Sequence, residues 1–356
     1  MWAVKVLAAM SGGVDSALAA ALAVEAGHEV VGVHMALLRN RQLFREGSRG
    51  CCSIEDSLDA RRVDDKLGIP FYVWDLSESF QETVVSDFIA EYEAGRTPNP
   101  CIRCNEHVKF STLANRAAAL GFDAVATGHY AQIIDGELHR SANIEKDQSY
   151  VLAVAGPNRL GHSLFPLGAF SSKTEVRAEA ARRGFAVSNK PDSYDICFIP
   201  DGDTRGFLRD RLGSRPGAIV DETGTEIGMH DGAYAYTVGQ RKGLFLGRPA
   251  ADGQPRYVLN VDPASNTVTV GPRRLLAVTS ITGIDPVWYV APPAPGSSLE
   301  AGIQVRAHGR EVPAQISTSG DTVKFDLIND HLAGIASGQS IVAYQGTKVI
   351  LQATVA

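Results

Sequence analysis

The sequence predicts an α/β protein. An N-terminal doubly wound parallel sheet is followed by a small mostly-β middle domain and an all-β tail, a sandwich or a small barrel. Three observations predict this. Short apolar runs alternate with alanine-rich or amphipathic stretches from Val4 to Gly128, the pattern of a parallel sheet covered on both faces. After about Asp203 glycine and proline become frequent and helical periodicity fades. The chain has 356 residues, too many for one compact core, so two or three domains are expected.

The elements follow in order. "VKVLAAM" is a strand, "SGGVDS" a turn, and "ALAAALAVEAG" an alanine-rich helix that stops at Gly27. "EVVGVHM" is the second strand. "SIEDSLDARRVDDKLG" is a helix, followed by the strand "IPFYVWDL". The helix "SFQETVVSDFIAEYEAG" leads into a Pro-Asn-Pro turn, then comes the helix "NEHVKFSTLANRAAALG" and the strand "FDAVATG". "SSKTEVRAEAARRG" opens with a capping box, Ser172 to Glu175. Beyond it, "GAIVDETGTEIGMHDGAYAYTVGQRKGL" reads as short strands and turns. "TVKFDLI" and "SIVAYQGTKVILQATVA" alternate as strands, with "APPAPGSS" as a loop. Tyr234 and Tyr236 read as core residues of the middle region.

Composition bounds the function. The chain is 44% hydrophobic and 21% charged, ordinary for a soluble globular protein. No apolar run is long enough to cross a bilayer, and no signal peptide is visible, so no membrane role and a cytoplasmic location are expected. In a reducing compartment, five cysteines point to catalysis or metal binding before structural disulfides. The net charge of -6 argues weakly against nucleic-acid binding, but local patches matter more. Between Arg205 and Arg274 ten Arg/Lys face seven Asp/Glu, and Arg209, Arg211, Arg215, Arg241 and Lys242 are the best phosphate candidates there.

"SGGVDS", Met35 and "TGHY" all fall at carboxyl ends of strands, where ligands of such sheets bind, so they are expected to face one crevice. In the turn, Gly12 and Gly13 are expected to take positive φ and to let the backbone approach a ligand. The helix that follows offers unpaired N–H groups and a positive dipole end, and Ser11 and Ser16 add hydroxyls. Such a turn suits phosphate. It is not a Walker A loop: no lysine is present, and Asp15 suits a Mg²⁺ ion bridging phosphates.

Cys101 and Cys104 lie in "GRTPNPCIRCNEHVKF" at C-x-x-C spacing. Cys104 precedes Asn105, a candidate N-cap, and a thiol near a helix start is favoured as thiolate. Cys197, in the polar loop "KPDSYDICFIP", is a candidate partner, near a strand end like Cys104. Zinc wants four ligands, usually as two pairs. Cys51 and Cys52 are adjacent and make a poor second pair, reading instead as small apolar residues before a helix. His107 points along its own helix.

"SGGVDS" resembles the PP-loop of N-type ATP pyrophosphatases. Across nearly its whole length, the chain resembles the bacterial tRNA-specific 2-thiouridylase family, through "AMSGGVDS", "VGVHM", "GRTPNPCIRCNEHVKF", "ATGHYA", "KDQSYVL", "FPLG", "DICFI", "YTVGQRKGL", "VRAHG" and "SGQSIVAY". The resemblance implies three parts: a catalytic PP-loop domain at 1–204, a central tRNA-contacting domain at 205–274 and a C-terminal β-barrel at 275–356. It implies ATP-dependent thiolation of C2 of the wobble uridine, with ATP and Mg²⁺ as cofactors. The partners it implies are tRNA and a sulfur-donor protein, either a persulfide relay or a cysteine desulfurase.

Residue by residue, the resemblance places the nucleophile on Cys104 and the persulfide carrier on Cys197, a pair that forms a disulfide during turnover. ATP contacts fall on Ala9, Met10, Ser11, Gly12, Gly13, Val14, Asp15, Ser16, Met35 and Gly128. The target base falls on Asn99, Pro100 and Cys101, and tRNA contacts on His129, Lys146, Asp147, Gln148, Arg306, Ala307 and Gln339. Several family members carry an aspartate where this chain has Cys101, which removes a proton-transfer group from that position. Ala307 stands where an aromatic is common. Three alternatives remain open on the residues: a [4Fe–4S] cluster on Cys101, Cys104 and Cys197, another PP-loop adenylating synthetase, and a metal-stabilised RNA-binding protein.

Overall fold

The computed structural model describes residues 3–38, 54–192, 196–246 and 252–356. Cys51 and Cys52 lie outside the described residues, as does Asp195 of the "DICFI" segment. The chain packs as two units. The first comprises residues 1–85, 100–202 and 346–349, the second residues 86–99, 203–345 and 350–356.

The first unit is built on a parallel sheet of β1 (Lys5–Ala9), β2 (Glu29–Ala36), β3 (Phe71–Asp75), β4 (Ala124–Ala126) and β7 (Ser163–Leu164), in the order β3-β2-β1-β4-β7. The order reverses at β1, so the loops after β1 and β4 open at a topological switch point. β5 (Ala131–Ile134) and β6 (Glu137–Arg140) form a hairpin after β4. α1 (Val14–Glu25) follows β1 directly. Its small residues Ala17, Ala19, Ala20, Ala21 and Ala23 are buried, so it packs close to the sheet.

α2 (Ile54–Leu67) covers β2 and carries a costly group. Asp64 is fully buried, and neither carboxylate oxygen has a hydrogen-bond partner. It lies so close to Gly32 of β2 that a Cβ there would meet Asp64 Oδ2 at 1.7 Å. Burial pushes the Asp64 carboxyl up to about 7, and the neighbouring Asp65 charge adds to the rise. The folded state therefore holds a proton that the unfolded chain releases near its ordinary value of 3.8. Its stabilising contribution is complete below that value and is lost as pH rises toward 7. Between pH 5 and pH 8, chemical unfolding of the wild-type chain should lose about 3 kcal/mol that the Asp64→Asn variant keeps. An equal pH slope in both proteins would contradict this.

In the second unit, β8 (Gly217–Val220), β9 (Glu226–His230), β10 (Tyr257–Asp262) and β11 (Thr267–Gly271) form a small sheet in the order β10-β11-β8-β9. Its core includes Ile219, Val258, Val268 and Val270. Tyr234 and Tyr236 are both 6% exposed, in the core as expected. β12 (Ser280–Trp288), β13 (Leu299–Gln304), β14 (Val312–Ser319), β15 (Thr322–Leu327), β16 (Ser340–Gln345) and β17 (Lys348–Val355) follow in the order β12-β15-β14-β13-β16-β17. β12 also pairs antiparallel with β17, which closes these six strands into a barrel. The all-β tail is thus a barrel and not an open sandwich, filled by alternate residues such as Val312, Ala314 and Ile316.

Candidate active site

The Ser11–Ser16 turn, the candidate phosphate site, sits between β1 and α1, at the switch point. Ser16, 5% exposed, organises it. Its Oγ accepts from the Ser11 N–H and the Ser11 hydroxyl, each at 3.1 Å, and donates to the Gly13 carbonyl at 3.1 Å. Gly12 takes φ +77°, as expected. Gly13 does not: its φ is -99°, because it serves as the N-cap of α1, where extended backbone is the rule. Gly13 offers no side-chain cap, so the first-turn N–H groups of α1 receive no acceptor from it. An added Cβ at Gly13 would meet only Ser11 Oγ, at 3.5 Å. This open space over a helix N-terminus fits a phosphate chain.

Gly128, just past β4, closes the other side. A Cβ there would lie 2.7 Å from the backbone of Asp15 and Ser16, so only glycine lets this strand end approach the turn. Met35, 7% exposed, lies near the end of β2, which β1 separates from β4, and Ala9, Met10 and Val14 are buried.

The charges around the turn come from distant segments. Tyr130 donates its hydroxyl to Asp15 Oδ1 at 2.7 Å, and Lys173 reaches Asp15 Oδ2 at 2.6 Å. Burial and the Asp15 charge drive the Tyr130 phenol well above its ordinary value, so it remains a donor. Lys173 also lies 3.1 Å from Asp192, which takes Lys146 at 3.0 Å and Arg177 at 2.8 Å. Burial raises the Asp192 carboxyl, but the Lys146 and Lys173 ammonium groups outweigh it and hold the carboxyl below the usual range. Lys190 donates to the Gly12 carbonyl at 3.0 Å and to Asp56 and Asp59 at 2.7 Å each. The turn contains no lysine of its own, yet Lys173 and Lys190 stand against it. Both Asp15 oxygens are thus engaged, Oδ1 by Tyr130 and Oδ2 by Lys173. Sequence reading missed Lys173, Lys190, Asp192 and Tyr130. Tyr130 lies within "TGHY", and Lys190 and Asp192 within "KPDSYDICFIP", motifs that gave no reason to single out these side chains.

Of the other candidates, Gln148 brackets Tyr130. Its Oε1 accepts from the Tyr130 N–H at 2.9 Å, and its own N–H donates to the Tyr130 carbonyl at 2.8 Å. Asp147 is buried and spends its oxygens on Ser141, Ser149 and Arg140. His129 is 8% exposed, lies between Phe110 and Phe165, and bonds Thr127 at 2.7 Å. Burial, with Lys109 nearby, holds it neutral, well below its ordinary value.

Cys104 is 8% exposed, Cys101 is exposed and Cys197 half-buried. The helix before "NEHVKF" starts earlier than expected. It begins at Pro100–Arg103 and continues through a wide-turned stretch, Cys104–Leu113, to Ala114–Ala119. Pro100 sets the first turn, since its fixed φ suits that position. Asn105 is therefore no N-cap: it is buried, and its Nδ2 donates to the Val151 carbonyl at 2.9 Å. Cys104 follows the first turn instead of preceding the helix. Among the described residues no group of three or more His, Cys, Asp or Glu is arranged to hold a metal ion.

Asn99 directly precedes the helix that Pro100 opens and that contains Cys101. Arg306 donates to the Gly334 carbonyl at 2.6 Å, the Ala307 carbonyl accepts from Gln304, and Gln339 Oε1 accepts from the Ala336 N–H. Arg205 stacks on Tyr236, with its guanidinium 5.0 Å from the ring centre. Arg209, Arg211, Arg241 and Lys242 are exposed. Arg215 pairs with Glu93 at 2.8 Å.

Three family models match successive stretches of the chain. The tRNA methyl transferase HUP domain family matches residues 4–201. The tRNA methyl transferase PRC-barrel domain matches residues 205–272, and the aminomethyltransferase beta-barrel domain residues 278–354. A tRNA-specific 2-thiouridylase MnmA from Beutenbergia cavernae is 64% identical, over 99% of this chain and 94% of the relative. Proteins of the same name from Salinispora arenicola and Streptomyces avermitilis are 59% and 60% identical. They cover 100% and 99% of this chain, and 100% and 94% of the relatives.

Proposed function

The chain belongs to the tRNA-specific 2-thiouridylase family, and on that premise we propose how its own residues carry out the reaction. It is a tRNA-uridine 2-sulfurtransferase: it thiolates C2 of the wobble uridine in tRNA at the expense of ATP, releasing AMP and pyrophosphate. The observation that carries this reading is identity of 64% to a named relative across almost the entire chain. The open helix start at Gly13 supports it independently.

Uridine's C2 oxygen is a very poor leaving group. Adenylation converts it to an oxygen that departs with AMP. The first-turn amides of α1 hold phosphate and Lys173 neutralises charge there, and Asp15 would hold a Mg²⁺ ion, which would screen the phosphate charge. Cys197 carries the sulfur as a persulfide delivered by a donor protein, a persulfide relay or a cysteine desulfurase. The Cys104 thiolate attacks the Cys197 sulfur. The S–S bond to the terminal sulfur breaks, sulfide leaves with the electron pair and adds to C2, and a Cys104–Cys197 disulfide remains. An external dithiol must return two electrons before the next turnover.

Asn99, Pro100 and Cys101 border the target base in this reading. His129, Lys146, Asp147, Gln148, Arg306, Ala307 and Gln339 belong to the tRNA-contacting segments. With His129 and Asp147 buried and internally bonded, those two shape the surface instead of gripping phosphate. The parts are divided as catalysis at 1–204, tRNA contact at 205–274 and a barrel at 275–356, acting in the cytoplasm. Among the described residues no helix is long and apolar enough to cross a membrane. A [4Fe–4S] cluster on Cys101, Cys104 and Cys197 is the rival mechanism. Anaerobic purification with iron and acid-labile sulfide near four per chain would favour it.

The function is tested by mass spectrometry of the wobble uridine after incubation with Mg²⁺-ATP and a sulfur source, alongside tRNA-dependent pyrophosphate release. Neither product from the wild-type chain would refute the reading. The middle domain has its own test. Arg241→Ala or Lys242→Ala should weaken tRNA binding and flatten its log–log salt dependence by about one unit for each phosphate contact removed. An unchanged slope would mean that these side chains are only solvated.

A further inference from the structure

Lys190 and Asp192 begin the segment that carries Cys197. Both are fastened to the phosphate-binding turn. Lys190 bonds the Gly12 carbonyl at 3.0 Å, and Asp192 meets Lys173, which reaches Asp15 at 2.6 Å. Asp192 also takes Lys146 at 3.0 Å, from the "KDQ" segment. A second path joins that segment to Asp15: Gln148 brackets the Tyr130 backbone, and Tyr130 bonds Asp15 at 2.7 Å. Asp192 is thus one carboxylate shared by Lys146, Lys173 and Arg177, with only 16% of its side chain exposed. Arg177 holds the same segment again through the Ser188 carbonyl at 2.7 Å. A carboxylate that only balanced surface charge would not need three cations, here drawn from two segments: Lys146, and the helix Lys173–Arg182 that supplies Lys173 and Arg177. A shared one fixes where those segments sit relative to one another.

We propose that Asp192 is a positioning residue. It ties the Cys197 segment to the adenylating turn and to Lys146, so that sulfur is delivered where the adenylated base is held. This rests on the thiolation reading above. Asp192 touches no reacting atom in this role. Its loss separates two half-reactions: pyrophosphate still leaves, but the sulfur arrives misplaced. Misplacement of a reacting group by about 1 Å costs on the order of 10²-fold in rate.

The test measures thiouridine formed per pyrophosphate released, with full-length enzyme, a tRNA transcript, Mg²⁺-ATP and sodium polysulfide as sulfur source. In Asp192→Asn, thiouridine formation is expected to fall at least about ten-fold further than pyrophosphate release. Asp192→Glu, which keeps the charge, should recover part of the ratio. If Asp192→Asn does not fold, Arg177→Met removes one of the three partners and should lower the ratio in the same direction. A ratio unchanged from wild type in a folded variant overturns the proposal, including the case where both rates fall together. Wild-type enzyme that yields neither product would instead overturn the thiolation reading, so the two failures are distinct.

Discussion

Cys104→Ser and Cys197→Ser are each expected to lower thiouridine formation by at least about 10³-fold, the scale seen when a covalent nucleophile is removed. Cys101→Ser is expected to retain activity within about ten-fold of wild type, since a polar replacement at an exposed position removes no step. Serine is isosteric with cysteine but cannot form a persulfide or a disulfide. Cys104 is 8% exposed and lies one turn into a helix opened by Pro100. Cys101 is exposed. Because adenylation needs neither thiol, tRNA-dependent pyrophosphate release should persist in Cys104→Ser. The opposite pattern, Cys101→Ser inactive and stripped of iron and sulfide, would transfer the chemistry to a three-cysteine cluster.

The readable parts of this site were the local ones. "SGGVDS" between an apolar strand and an alanine-rich helix carries its own signal, because glycine, serine and helix polarity act over a few residues. The capping box was legible for the same reason: Ser172 accepts from the Glu175 N–H at 3.2 Å. The reciprocal arm is displaced by one residue, with Glu175 bonding Ser171 instead. What escaped was long-range. Lys173 meets Asp15 across 158 positions and Lys190 meets Gly12 across 178, and no periodicity announces such a pairing. The helix start was misplaced because Asn105 is a good capping residue type, whereas Pro100 had already set the first turn. Asp64 is one acid among several on its helix, with no local mark of its own. Its burial follows from packing against Gly32, which appears only once α2 and β2 are together.

Two glycine substitutions, one residue apart, separate fold from site. Gly12→Ala should destabilise the first unit by about 3 kcal/mol or more, because alanine is strained at φ +77° and its Cβ would sit 2.2 Å from the Asp56 carbonyl oxygen. That oxygen is backbone and cannot swing aside. Gly13→Ala meets neither obstacle: φ is -99° and the nearest contact is ordinary. Losing glycine at an N-cap should cost no more than about 1 kcal/mol. Yet the new methyl occupies the space where phosphate must approach the first-turn amides of α1. Donors to developing charge are each worth about 10² in rate, so pyrophosphate release should fall by about 10²-fold or more in a protein that still unfolds near the wild-type temperature. Calorimetry and a pyrophosphate assay on the same preparations check both halves. Full activity in Gly13→Ala would mean that the phosphates bind elsewhere than over this helix start. A large loss of thermal stability in the same variant would mean that Gly13 serves the fold before it serves the ligand.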